Sequence, residues 1–194
     1  MTTPNLKTVA TMTPGVLASL QVPAGISTGY TVPSNSAVKI ATASLCNTSG
    51  EAISLTDAVT TNTSTTLTSA AGHFYSSDTG KTITGAGIPA NTTITFVDAH
   101  TVTLSNAATA TATGVSVSYS WAATTVIVSL SIVPSGGSTD QTHRVISNYS
   151  LLSGDTLPLN DLVSDALMGD GDSIALTASL GSRVDFVLTG TVMA

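Results

Sequence analysis

The sequence predicts an all-β chain: an antiparallel β-sandwich of jelly-roll or Ig-like type, with a second small β module inserted in one of its hairpin loops. Three observations lead there. Short runs of Val, Ile and Thr alternate with other residues along the 194-residue chain, and β-branched side chains favour the pleated sheet. Clusters of Gly, Pro, Asn, Asp and Ser separate these runs at the spacing expected of sandwich strands. Finally, Ile40–Leu55 and Val126–Pro134 read as neighbouring strands of one sheet, parted by a Thr-, Ala- and Ser-rich block with its own strand pattern. A surface loop is where such an insertion costs least.

The elements follow in order. Residues 1–20, with Pro4 and Pro14, read as an extended N-terminal arm, frayed or docked on a neighbouring subunit. Residues 21–55 and 125–194 make the sandwich scaffold, and 56–124 the inserted module. Gly29–Pro33 is a strand entering a turn. Ala37–Cys46 alternates, with Val38, Ile40, Thr42 and Ser44 on one face and Lys39, Ala41, Ala43 and Leu45 on the other; neither face is purely apolar. Asn47–Gly50 is a turn, and Ala52–Leu55 opens the next strand. In the module, Lys81–Thr84, Thr92–Val97, Thr101–Leu104 and Val115–Trp121 read as strands, the middle two forming a hairpin. Its core is expected from Phe74, Tyr75, Ile83, Ile88, Ile94, Phe96, Val102, Leu104, Val115 and Val117.

The scaffold resumes with the strand Val126–Val133, ended by the PSGG sequence at 134–137. Thr142–Tyr149 is a further strand, and Leu151–Leu159 contains a tight SGD turn. Asn160–Met168 is the one predicted helix, capped by Asn160 or Asp161 and stopped at Gly169–Gly171. Ser173–Ser179 and Arg183–Val192 close the chain, joined by Leu180–Ser182.

Composition excludes several function classes. Charged residues are 8% of the chain, against about a quarter in ordinary soluble domains. Thr and Ser instead give a neutral, hydrated surface of the kind found on particles and extracellular assemblies. Thr and Ser also interrupt every apolar stretch, so no membrane insertion is expected. The five basic residues, Lys7, Lys39, Lys81, Arg144 and Arg183, are scattered against a net charge of −6. Phosphate neutralisation needs a basic cluster, so nucleic acid is not an expected partner. The single Cys46 cannot form an internal disulfide. The opening MTTPNLKTV lacks the pattern of a secretion signal, which points to synthesis in a reducing cytoplasm.

The segments GYTVPSNSAVKIATASLCNTSGEAISL, VSLSIVPSGG, LLSGDTLPLN, GDGDSIALTAS and VDFVLTGTV resemble a β-sandwich module that recurs in structural proteins of tailed bacteriophages. The resemblance covers residues 29–55 and 126–192 and includes a closing hairpin. DTGKTITGAGIPANTTITFVDAHTVTLSNAATATATGVSVSY resembles a short repeat of phage tail, spike and fibre-like proteins, here spliced in after CNTS. These are strand and turn signatures rather than chemical ones. They imply a virion component, made in the host cytoplasm, whose partners are other capsid or tail proteins.

The chemistry of individual residues points the same way. Gly80–Lys81–Thr82 is the tail of a phosphate loop, but Tyr75 stands where that loop needs its first Gly, so it reads as a polar strand start. His73, His100 and His143 lack metal-ligand spacing and read as lone histidines, although a trimer axis would gather three copies of one of them. Asp155, Asp161, Asp165, Asp170 and Asp172 read as caps and turn formers rather than a calcium site. Cys46 reads as a buried structural thiol. Glu51 is the sole Glu, and no nucleophile elbow appears. No catalytic, metal or cofactor residues are therefore expected. Tyr75, Tyr119 and Trp121 are the candidate interaction residues, with Trp121 also read as a core or junction residue.

The expected role is non-enzymatic: a structural protein on the outside of a tailed-phage particle, as capsid decoration or minor tail protein, homo-oligomeric, with a trimer as the candidate state. The alternative is a host-surface or carbohydrate-binding adhesin with the insert as its tip. A glycan-degrading enzyme is a third reading.

Overall fold

The computed structural model describes residues 11–139 and 141–194. The chain separates into two compact units. One comprises the chain up to Thr48 together with Thr125–Ala194, and the other is Ser49–Thr124. All ladder pairings are antiparallel.

The first unit carries two sheets. The larger contains β1 (Met12–Gln21), β15 (Val184–Met193), β3 (Ala37–Asn47) and β12 (Thr156–Pro158) in that spatial order, with β13 (Leu167–Met168) also paired to β3. The smaller places β10 (Val126–Val133) between β11 (Arg144–Leu151) and β14 (Ser173–Ala178). Beside β14 runs β2 (Gly25–Thr31). There Gly29 lies so close that an added Cβ would meet Leu176 Cδ1 at 2.7 Å and Phe186 Cε1 at 3.2 Å. The inward residues of both sheets belong to one apolar cluster: Val38, Ile40, Ala43, Leu45, Phe186 and Leu188 from the larger, Val128, Leu130, Ile146, Ile174 and Leu176 from the smaller. Apart from Ala43, each such side chain contributes about 1.5–3 kcal/mol by leaving water.

Several expectations change here. β3 and β10 do not pair. β3 is flanked by β15 on one side and by β12 and β13 on the other, so it has no edge to offer. The insertion therefore lies on a crossover between two sheets, not at a hairpin tip. β14 and β15 likewise belong to different sheets, so the chain closes on a crossover rather than a hairpin. Residues 49–55 belong to the inserted unit. Residues 12–20 of the predicted arm are a strand on β15 of the same chain. Thr11 exchanges backbone hydrogen bonds with Ala194, and residues 1–10 of the arm lie outside the described residues.

The predicted helix shrinks to one turn, α1 (Asn160–Val163). Sheet bonding takes over beyond it: Asp165 donates its N–H to Ile40 O, Ile40 donates to Ala166 O, and Leu167–Met168 pairs with β3. Asn160 does not cap, because its side-chain oxygen accepts the Ala43 N–H.

The face assignment of β3 changes for a physical reason. Thr42 pairs with Thr189 but Ile40 pairs with Gly190, leaving Ala41 as an extra residue, a β-bulge. The alternation reverses there. Val38 and Ile40 point inward before the bulge, Ala43, Leu45 and Asn47 after it. Opposite, β1 skips Leu17 between Val16–Thr189 and Ala18–Leu188. Two bulges thus flank Gly190, where a Cβ would stand 2.5 Å from Lys39 O and 2.8 Å from Leu17 Cδ1.

The second unit is a closed antiparallel barrel of six strands. In spatial order they are β4 (Ile53–Thr60), β5 (Thr66–Thr68), β8 (Thr101–Leu104), β7 (Thr92–Asp98), β6 (Thr82–Gly85) and β9 (Ala112–Ser120). The expected hairpin forms from β7 and β8, with Ile94 opposite Leu104 and Phe96 opposite Val102. Its core contains Phe74, Ile83, Ile94, Val102, Leu104, Val115 and Val117, with Ile88 and Phe96 partly buried against it. Tyr75 is not part of it, while Ala58, Leu67, Ala108 and Tyr119 are. The ends of the unit are stapled together: Ser49 Oγ donates to Thr124 O at 2.9 Å and accepts the Thr124 N–H at 3.1 Å, and Gly50 donates to Trp121 O at 2.9 Å.

Candidate interaction surfaces

The DTGK segment of the barrel holds its most charged interior feature. Lys81 Nζ donates to Asp78 Oδ1 at 2.8 Å, and both residues are nearly buried, at 8% and 3% exposure. The other Asp78 oxygen accepts the Tyr75 N–H at 2.8 Å, closing the 3₁₀ turn Ser76–Asp78. The ammonium also lies 5.6 Å from the centre of the Tyr119 ring, which packs against Phe74 at 5.4 Å. Burial, then the charge of Asp78, then Tyr75 push the Tyr119 hydroxyl up to about 12. Gly80, at φ +95°, brings the backbone against the Trp121 ring, where a Cβ would meet Cη2 at 2.8 Å. The Gly-Lys-Thr sequence is thus a turn with its lysine turned inward.

The three predicted interaction residues fall in different settings. Tyr75 is 64% exposed because it follows inward-facing Phe74 in extended backbone. Tyr119 is 1% exposed, continuing the inward alternation of Val115 and Val117. Trp121 is half-buried, against Gly80.

The acidic stretch is used by backbone groups. Buried Asp172 accepts N–H bonds from Ser135 at 2.9 Å and Gly169 at 2.8 Å. Asp170 accepts from Asn35 at 3.1 Å, and Asp165 pairs with Lys39 at 2.9 Å on the surface. His143 Nδ1 lies 3.0 Å from Ser138 O. Cys46 is half-buried rather than buried, since it lies on the outer side of the β3 bulge phase. Among the described residues, no group of three or more His, Cys, Asp or Glu is placed to hold a metal ion. Nor is any helix there long and apolar enough to cross a membrane.

A surface that sequence reasoning missed is the outer face of the larger sheet. The register aligns Val16 with Thr189, Ser19 and Ser44 with Val187, and Thr42 with Thr189, whose hydroxyls meet at 2.6 Å. Met12 and Val16 are about two-thirds exposed, at 67% and 66%. Among the described residues β1 bonds only to β15, and its other edge, interrupted by Pro14, has no strand partner there. The exposed apolar residues of β1 carried no signal in sequence, because a strand at the chain start looks like a tail.

No protein-family profile matches the chain, and no curated protein matches it. Solved structures that align include VP17, a capsid protein of bacteriophage P23-77, at 10% identity and TM-score 0.23 over 95% of this chain and 97% of that one. The VP16–VP17 complex of the two major capsid proteins of the same phage aligns at 10% identity and TM-score 0.23, over 95% and 100%. A TM-score this low establishes no common fold.

Proposed function

We propose that the chain is a non-enzymatic structural protein of a tailed-phage virion, carried outside the particle as a capsid decoration or minor tail protein. The observation that supports this most is the work done by the motif residues. Asn47 of CNTS is buried, donates its backbone N–H to Asp155 O and its side-chain amide to Leu151 O, each at 2.9 Å, and accepts from Gly154. Asp172 of GDGD ties two turns, and the Asp78–Lys81 pair of DTGK ties a third. The residues that carry the phage resemblance are spent on architecture.

In this reading the two sheets form a sandwich that seats on other virion proteins, and the barrel is the exposed module. Many weak seats on one particle give lasting attachment by multivalency. Homo-oligomerisation, as a trimer, belongs to the same proposal, with the outer face and open edge of β1 as available contacts. An adhesin is the second reading, and exposed Tyr75 is the residue that favours it.

The test is density-gradient fractionation of a lysate from the producing cells, with the chain quantified per particle. Co-banding at hundreds of copies indicates decoration, and a few copies indicate a tail part. A chain found wholly in the particle-free fractions overturns the proposal.

A further inference from the structure

His73 and His100 lie far apart in sequence, yet their rings are neighbours, with centres 5.8 Å apart and planes tilted by 50°. The backbone brings them together. Phe74 donates its N–H to Ala99 O and Ser69 donates to His100 O, both at 3.0 Å, so the segment before β6 is laced to the β7–β8 turn on either side of the pair. Phe74 is anchored in the barrel core, and a Cβ added at Gly72 would stand only 3.0 Å from the Ser69 side chain. His100 is fixed by its own N–H, which donates to Asp98 Oδ1 at 2.8 Å. Both histidines remain exposed.

We propose that His73 and His100 form a two-histidine chelate for one divalent transition-metal ion of the Zn²⁺, Ni²⁺ or Cu²⁺ class. Imidazole is a ligand these ions favour. An ion sits about 2.0–2.1 Å from each ligating nitrogen, which puts two chelating ring centres roughly 5 Å apart. Small side-chain rotations of two exposed rings close the difference from 5.8 Å. Because the two backbones are already held, the second ligand joins at little entropic cost.

Carboxylates border both arms of the pair: Asp98 accepts the His100 N–H, and Asp57 accepts the Ala71 N–H at 2.8 Å, two residues before His73. With no third protein ligand assembled among the described residues, water completes the coordination. The bound ion ties segment 69–75 to the β7–β8 turn, so it clamps the barrel at that end.

The test is calorimetric titration of the tag-free full-length chain with NiCl₂ and ZnCl₂. One ion per chain is expected. His73→Gln and His100→Gln should each weaken binding at least about tenfold, as loss of one arm of a chelate does, whereas His143→Gln should leave it unchanged. Nickel should raise the melting temperature of the native chain and of neither variant. Absence of binding to the native chain overturns the proposal. So does native-like binding by either variant, which would mean that one surface histidine suffices. Paramagnetic broadening by Ni²⁺ in the native chain needs no variant, and broadening centred away from both imidazoles also refutes the site.

Discussion

Lys81 and Asp78 pose the sharpest question at the residue scale, because a buried ion pair is costly to form and more costly to break. Removing one partner leaves the other charged and desolvated. Lys81→Met or Asp78→Ala is expected to destabilise the barrel by about 3–5 kcal/mol. In a double-mutant cycle the two losses should fall well short of additive, since the second removal relieves an orphan charge. Denaturant midpoints of the two single variants and the double variant measure this. Asp57 gives a pH test. Its carboxyl is lowered in the folded state, so its contribution is complete above the ordinary carboxylate range near pH 4 and disappears as pH falls through the lowered value. The melting-temperature gap between the native chain and Asp57→Asn should therefore be constant at neutral pH and close in acid. A gap that widens in acid contradicts the assignment.

Strands show most clearly what a sequence does and does not disclose. β7, β8 and β10 were legible because alternation or a continuous β-branched run bounded by turn residues leaves little choice. β3 was legible as a strand, but its faces were not. A bulge at Ala41 reverses the alternation, and nothing in ATAS announces which residue will be the extra one. The partner of β10 was unreadable because pairing depends on which edges are already occupied. The nine-residue apolar pattern after Leu159 looked helical, but the free side of β3 competes for the same backbone and wins after one turn. Tyr75 and Tyr119 are chemically alike, and only the phase of the strand through Val115 and Val117 sends one inward. Among candidate contacts, Tyr75 was read both as core and as contact, and the apolar residues of β1 were not read as contacts at all. Gly190→Ala tests the paired bulges. Its Cβ would strike Lys39 O at 2.5 Å, a backbone atom that cannot swing aside. A loss of about 1–3 kcal/mol is expected, against nearly none for Gly15→Ala on the open edge, where the added methyl meets nothing within 4 Å. Equal losses at the two sites would contradict a special role for the bulges.

At the scale of the whole molecule, two apolar clusters without shared members divide the chain. Each unit has its own closed set of strand pairings, and this predicts two folding units. A fragment spanning residues 49–124 should fold alone, with a β-type circular dichroism spectrum and a cooperative melt. The complementary chain, with a short Gly/Ser linker joining Thr48 to Thr125, should fold as well. Failure of both fragments, with the intact chain stable, would show that the units depend on each other. The assembly state is tested separately. Sedimentation at micromolar concentration should give a trimer, and Val16→Lys on the outer face should shift it towards monomer. A native chain that sediments as a monomer removes the oligomeric part of the proposal.

The clasp between Ser49 and Thr124 has an evolutionary corollary. It lets the host chain leave and re-enter through almost a single point, so the intervening polypeptide behaves as a cassette. A lineage could exchange one tip for another of different size by recombination at these two neighbouring positions.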